Sequence, residues 1–123
     1  MGSMSIGLLI AGILGATGVA AGAFGAHALE RLVTAERLAV WETAAYYHLI
    51  HAVVVLVLAL QPREALWRLP IAGFALGIGL FSFSLYALVL TDVTTFAMVT
   101  PVGGLMLIVS WLLVAVKACR QPE

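Results

Sequence analysis

Two histidines in an apolar stretch are the residues of this chain most able to do chemistry. His48 and His51 are three positions apart, so at about 100° per residue they share one face of a helix with Tyr47. His51 lies near the middle of the stretch, at a depth where ionisable groups are costly and usually face protein or a water-filled cavity. Its position predicts either a functional site or a neutral imidazole that links helices by hydrogen bonds, with Ser82, Ser84 and Tyr86 as expected partners.

Two further polar residues complete the set of candidates. His27 is expected at the membrane surface. Glu42 lies on the helix face opposite His51, where it is expected to pair with Arg37 or to extend to the lipid headgroups. The candidate functional residues are therefore His27, Glu42, Tyr47, His51, Ser82, Ser84 and Tyr86.

These residues give little support for the binding of a metal ion or of haem. A histidine pair three residues apart is typical of zinc sites, but zinc needs three or four ligands, and His27 is the only other histidine. A haem held by two histidines would need His27 opposite His48 or His51. The chain has no nucleophile motif, phosphate loop or carboxylate pair in a predicted pocket. We expect no catalytic, cofactor-binding or metal-binding residue, so enzymatic activity is uncertain and not favoured.

Four apolar segments must position these residues. They cover about residues 4–26, 38–60, 69–90 and 96–116, and each matches the roughly 20 residues that a helix needs to cross the hydrocarbon core. Backbone groups facing lipid must be paired, so segments of this length are predicted to be helices. Residues 1–3 are interpreted as an expression scar and residues 4–123 as a single domain. The predicted fold is all-α, an integral membrane bundle of four transmembrane helices.

The composition excludes most other classes of protein. Hydrophobic residues make up 63% and charged residues 10%, against roughly 45–50% and about 25% in soluble domains. A chain of 123 residues cannot bury that much apolar surface in its own core. The net charge is zero, so nucleic acid is not an expected partner. The single cysteine, Cys119, cannot form an internal disulfide.

Orientation in the membrane follows from the basic residues. With four spans, the face that carries both termini holds four of them and the opposite face holds Arg31 and Arg37. An excess of Lys and Arg marks the cytoplasmic side. We therefore expect both termini in the cytoplasm, at a bacterial plasma (inner) membrane. Tryptophans toward the ends of the spans match an aromatic belt at the interfaces: Trp41, Trp67 and Trp111.

Glycines predict where the helices approach most closely. The first segment has five on one arc of about 80°, namely Gly7, Gly15, Gly18, Gly22 and Gly25. Gly12 lies off this arc. The third segment has Gly73 and Gly77 at a spacing of four. Small residues in register let helix backbones come together, and helix association in lipid depends on such packing. Packing within the chain is favoured, and packing against a second copy stays open.

Three groups of residues resemble a known family. They are Gly22-Ala23-Phe24-Gly25-Ala26-His27-Ala28-Leu29; Trp41-Glu42-Thr43-Ala44 with Tyr47 and His51-Ala52; and Leu80-Phe81-Ser82 with Ser84-Leu85-Tyr86, Leu90-Thr91, Thr100-Pro101-Val102-Gly103-Gly104 and Ser110-Trp111. Together they resemble the small four-helix membrane proteins of domain-of-unknown-function family 423, related to transmembrane protein 256 of animals. The resemblance implies four spans and no established activity or cofactor. It also implies glutamine as a frequent residue at the place of His48, which argues against an obligatory ligand there.

Three functions are compatible with these features. The favoured one is a membrane protein without enzymatic activity that acts by helix packing with itself or with other membrane proteins in the lipid bilayer. The second is a small permeation module in which His51, Tyr47 and the serines of the third segment line a polar path. The third is a haem- or quinone-associated redox subunit using His27 and His51.

Overall fold

The computed structural model describes residues 4–120, and every regular element in that range is helical. The α-helices are α1 (Ile6–His27), α2 (Ala35–Ala59), α3 (Arg68–Ile78), α4 (Ser84–Thr91) and α5 (Thr100–Arg120). A π-helical segment, Gly79–Phe83, joins α3 to α4. Short 3-10 helices occupy the connections at Leu29–Arg31, Glu64–Trp67 and Thr94–Met98. The interpretation of residues 1–3 as a scar falls outside the described residues.

The prediction of four transmembrane helices is confirmed. Four helical units are long and apolar enough to cross a membrane: Ile6–Arg31, Ala35–Ala59, Glu64–Thr91 and Thr94–Arg120. Two details differ from the expectation. The third unit contains the π-helical segment in its middle. In the fourth, the α-helix begins at Thr100 instead of residue 96, because Pro101 suits the first turn of a helix.

The helices pack in antiparallel order, with α2 and the third unit at the centre. Helix α1 lies against α2, and α5 lies against α3 and the π-helical segment. Two apolar clusters form the core. One is centred on Val55, Phe74 and Ile78, and the other on Trp41 and Tyr86. On α2, His48 and His51 lie between the residues that build these clusters. The polar residues therefore form a layer between two apolar ones.

Helix α1 contacts α2 through a narrower face than the arc of five glycines predicts. Its buried residues are Gly7, Ala11, Gly18 and Gly25. A Cβ added to Gly25 would lie 2.6 Å from Cδ1 of Trp41. In contrast, a Cβ on Gly15 or Gly22 meets no other segment within 4 Å, and the same holds for Gly12. Viewed along the helix axis, the four buried positions of α1 lie within an arc of about 40°, and Gly15 and Gly22 lie beside that arc.

The closest approach in the bundle joins α5 to the third unit. Ser110 faces Gly73 and Leu107 faces Gly77, so a Cβ at either glycine would overlap these side chains. Gly103 lies directly on the backbone of Leu80 and Phe81. An added Cβ there would overlap main-chain atoms, which cannot rotate away as a side chain can. The π-helical segment therefore packs against a glycine.

We expect Gly103→Ala to lower the free energy of unfolding by about 1–3 kcal/mol, as overpacking of a tight contact does. Gly104→Ala is the matched control, because its Cβ would make ordinary contacts of 3.6 and 3.8 Å with the Phe81 ring. Thermal unfolding of both variants in detergent measures the difference. Equal stability of the two variants would mean that the backbones are not in contact at Gly103.

Candidate functional site

The polar layer is built around the two histidines of α2. His48 is fully buried and His51 is 5% exposed. No buried side-chain nitrogen or oxygen within residues 4–120 lacks a hydrogen-bond partner. Inside a bilayer an unpaired polar group costs several kcal/mol, so complete pairing is the condition under which such a layer can exist.

His48 links three helices. Its Nε2 lies 3.1 Å from Oγ1 of Thr17 on α1, and its Nδ1 lies 2.9 Å from the hydroxyl of Tyr86 on α4. Thr17 also donates to the carbonyl of Ile13 at 2.8 Å. The imidazole therefore joins both α1 and α4 to α2.

The neighbours of His48 determine its tautomer. The Tyr86 hydroxyl has no other partner among residues 4–120, so its proton must go to Nδ1. Nε2 then carries the ring proton and donates to Thr17, whose own proton goes to Ile13. In the opposite tautomer the Tyr86 proton would be buried without an acceptor, which is the costly arrangement.

His51 links α2 to α5. Its Nδ1 donates to the carbonyl of Tyr47 at 2.7 Å, and its Nε2 accepts from Nε1–H of Trp111 at 3.1 Å. Because Nε2 accepts, the ring is the neutral Nδ1–H tautomer, opposite to that of His48. The expected partners on the third unit were wrong: Ser82, Ser84 and Tyr86 bond elsewhere.

Aromatic rings enclose His51. The Tyr47 ring stacks on it with centroids 5.9 Å apart and planes at 13°. Phe74 lies 5.7 Å away, and Trp111 meets the ring edge-on at 5.9 Å. Trp111 is 46% exposed on its other side. The imidazole is thus fixed by packing as well as by hydrogen bonds, and its polar atoms point into the protein.

The serines of the third unit satisfy backbone groups around the π-helical segment. Ser82 donates to the carbonyl of Ala44 on α2 at 2.7 Å. Ser84 lies 2.9 Å from the Phe81 carbonyl and 2.7 Å from Oγ1 of Thr100 on α5. A permeation path would require these hydroxyls to face a channel, whereas here they bond to neighbouring helices. Single-turn π segments are frequent at functional sites and disturb the regular backbone bonding that such side chains compensate.

His27 and Glu42 lie apart from the polar layer, and both are exposed. Gly18 packs beside His48, so His27 is about 18 Å from His51 along the helix axis at 1.5 Å per residue. One iron cannot bind both. Of the two alternatives predicted for Glu42, pairing with Arg37 was wrong, because the Arg37 guanidinium donates to Asp92 at 2.8 Å. Extension to the lipid headgroups stays a prediction. No group of three or more potential metal ligands occurs within residues 4–120.

Three contributors to the layer were missing from the sequence-based candidates. Thr17 and Thr100 belong to predicted segments without any charged residue, and Trp111 was assigned to the aromatic belt. Trp41 was assigned likewise, yet its indole N–H donates to the Ala21 carbonyl at 2.7 Å. The sequence did contain a signal for these residues, because each side chain carries a hydrogen-bond donor. A hydroxyl or indole inside a span needs an acceptor.

These features define a class of protein: an integral membrane protein with four spans and a hydrogen-bonded polar layer that joins all four. The chain belongs to the family described as "Protein of unknown function (DUF423)", which matches residues 21–104. The sequence-based resemblance is therefore confirmed.

The relatives are membrane proteins by name. The chain is 40% identical to the UPF0382 inner membrane protein YgdD of Escherichia coli K12, over 92% of this chain and 88% of that protein. It is 35% identical to the UPF0382 membrane protein YwdK of Bacillus subtilis 168, over 95% and 98% respectively. For a relative from Staphylococcus saprophyticus the identity is 34%, over 92% and 96%. No solved structure matches the chain.

We expect the bond between His51 and Trp111 to stabilise the bundle by about 0.5–2 kcal/mol, the range measured for polar contacts between membrane helices. Trp111→Phe and His51→Leu should each destabilise the protein, and the double variant should lose less than the two single losses added together. His51→Gln should retain much of the stability, because an amide both donates and accepts. Unfolding in detergent gives all four values. Strictly additive losses would show that the two side chains are not coupled.

Proposed function

We propose that this protein acts by packing against a second copy of itself in the bilayer, through a groove between α1 and α2. The groove has a volume of about 440 Å³ and is lined by Gly18, Val19, Gly22, Ala23, Glu42, Ala45, Tyr46 and Leu49. We name it the α1–α2 groove. The observation that carries the proposal is that Gly22, one of the five glycines on the α1 arc, lies open at its floor.

The floor of the α1–α2 groove suits another helix. Gly22 and Ala23 present almost no side chain, while Tyr46 and Leu49 rise from α2 beside them. Tyr46 is 65% exposed, a large amount for an aromatic side chain in a compact bundle. In lipid, small residues on a helix surface permit close backbone contact with a neighbour, and the dispersion energy of that contact drives association.

A second copy is the occupant that this surface fits best. The flank of α1 beside the groove also includes Gly12 and Gly15, where an added Cβ would meet nothing within 4 Å, and Val19 is the one large side chain that α1 contributes to the groove. A surface that packs on itself gives a closed two-fold dimer, the commonest arrangement of soluble oligomers. In the polar layer, by contrast, the buried side-chain nitrogens and oxygens of residues 4–120 are all hydrogen-bonded within one chain.

Self-association should respond to a side chain in the α1–α2 groove. Gly22→Leu fills the floor of the groove, and its Cβ would meet no other atom of the described residues within 4 Å, so we expect normal thermal stability and a dimer dissociation constant raised about ten-fold or more. Ala20→Leu is the control, because Ala20 is exposed about 160° around α1 from Gly22. Energy transfer between labelled copies in lipid vesicles measures the constant. A monomeric wild type, or an unchanged constant for Gly22→Leu, would refute the proposal.

We also infer that both termini lie in the cytoplasm of a bacterial plasma membrane. The support is the distribution of basic residues: the end of the bundle with both termini carries Arg63, Arg68, Lys117 and Arg120. At the other end, the charge of Arg37 is paired with that of Asp92. The lysine and arginine bias of short loops sets orientation through the preference of basic segments for the cytoplasm.

Cys119 tests this orientation without any engineering, because it is exposed and is the single cysteine of the chain. We expect a membrane-impermeant maleimide to label it in inverted membrane vesicles and not in intact cells. A Cys119→Ser variant carrying Leu32→Cys, an exposed position at the opposite end, should show the reverse pattern. Labelling of Cys119 from outside intact cells would overturn the inference.

A further inference from the structure

A second groove lies at the end of the bundle that carries the termini. It separates the start of the third helical unit from the end of α5, has a volume of about 440 Å³, and is lined by Arg63, Leu66, Leu69, Leu113, Val116, Lys117 and Arg120. We name it the basic groove. Three of its lining side chains are cationic and the other four are aliphatic.

The positive charge of the basic groove is not neutralised by the described protein. No acidic residue lines it. Among residues 4–120, the one ion pair joins Arg37 and Asp92 at the opposite end. The nearby Glu64 lies 3.3 Å from Oγ of Ser5 and lines a different cavity, between α1 and α3. Three cations in one half-apolar groove repel one another unless an anion joins them.

The position of the groove specifies what kind of anion fits. Leu69 is 63% exposed and Leu66 is 43% exposed, so the aliphatic part of the groove opens toward the hydrocarbon of the bilayer. Lys117 and Arg120 lie in the last turn of α5 and Arg63 directly precedes the third unit, so we expect these cations at headgroup depth. Arg63 adopts a left-handed conformation with φ of 58°, which a glycine would adopt at lower cost. Its side chain nevertheless lines the groove.

We propose that the basic groove binds an anionic phospholipid, with the headgroup phosphate on Arg63, Lys117 and Arg120 and an acyl chain along the leucines. Arginine guanidinium groups bind phosphate oxygens in bidentate fashion, and lysine adds a point charge. Basic pockets between transmembrane helices on the cytoplasmic side are the general form of anionic-lipid sites. The charge and the apolar lining together favour a lipid over a soluble anion, which would gain nothing from the leucines.

The six basic residues of the chain allow a matched experiment. The variant Arg63→Gln/Lys117→Gln/Arg120→Gln removes all three positive charges from the basic groove. Its control, Arg31→Gln/Arg37→Gln/Arg68→Gln, removes the other three basic residues and has the same net charge. The full chain in detergent is titrated with dioleoyl phosphatidylglycerol or dioleoyl phosphatidylcholine, and bound lipid is counted by native mass spectrometry.

We expect the wild type and the control to retain phosphatidylglycerol in preference to phosphatidylcholine, and the groove variant to bind it about ten-fold more weakly. Lys117→Gln alone should give an intermediate loss, which guards against a folding defect in the triple variant. An unchanged preference in the groove variant, or an equal loss in the control, would overturn the proposal. Displacement of the bound lipid by inorganic phosphate alone would also overturn it, because the site would then be a simple anion site.

Discussion

The absence of water inside a bilayer is the constraint on which this structure depends. Every polar atom in the middle of the bundle must find a partner within the protein, and within residues 4–120 every buried side-chain nitrogen and oxygen has one. The helices must therefore come close enough for hydrogen bonds of 2.7–3.1 Å to form between them. Glycines make that distance accessible. The close contact at Gly103 and the bond from Trp111 to His51 are two consequences of the same requirement.

The two histidines use one chemical property in opposite ways. A neutral imidazole has one donor and one acceptor, so each ring can join two groups that could not bond to each other. His48 donates through Nε2 toward Thr17 and accepts from Tyr86, whereas His51 donates through Nδ1 to a backbone carbonyl and accepts from Trp111. A glutamine amide also has both a donor and an acceptor.

The outer helices are packed less completely than the core. Helices α1 and α5 are less buried than α2 and the third unit, and each borders a groove that residues 4–120 leave open. The α1–α2 groove is small-sided and nearly apolar, which suits a helix. The basic groove is cationic with an aliphatic side, which suits an anionic lipid.

The class of the protein and the number of spans could be predicted from the amino-acid sequence. Apolar length and composition are sufficient for that, because a lipid-exposed backbone leaves helices as the solution and a span needs about 20 residues. The sequence also indicated His51, since ionisable residues at that depth are rare.

The hydrogen-bond partners of His51 and the packing of the α1 glycines depend on the tertiary structure. Rotation of each helix by some tens of degrees chooses between Ser82 and Trp111 for His51, and separates Gly18, which packs on α2, from Gly22, which does not. The apolar pattern of a membrane helix carries almost no signal for that rotation, because lipid and core accept the same residues. The π-helical segment was likewise not predicted from the sequence, and its backbone contacts Gly103 on another helix, which is distant along the chain.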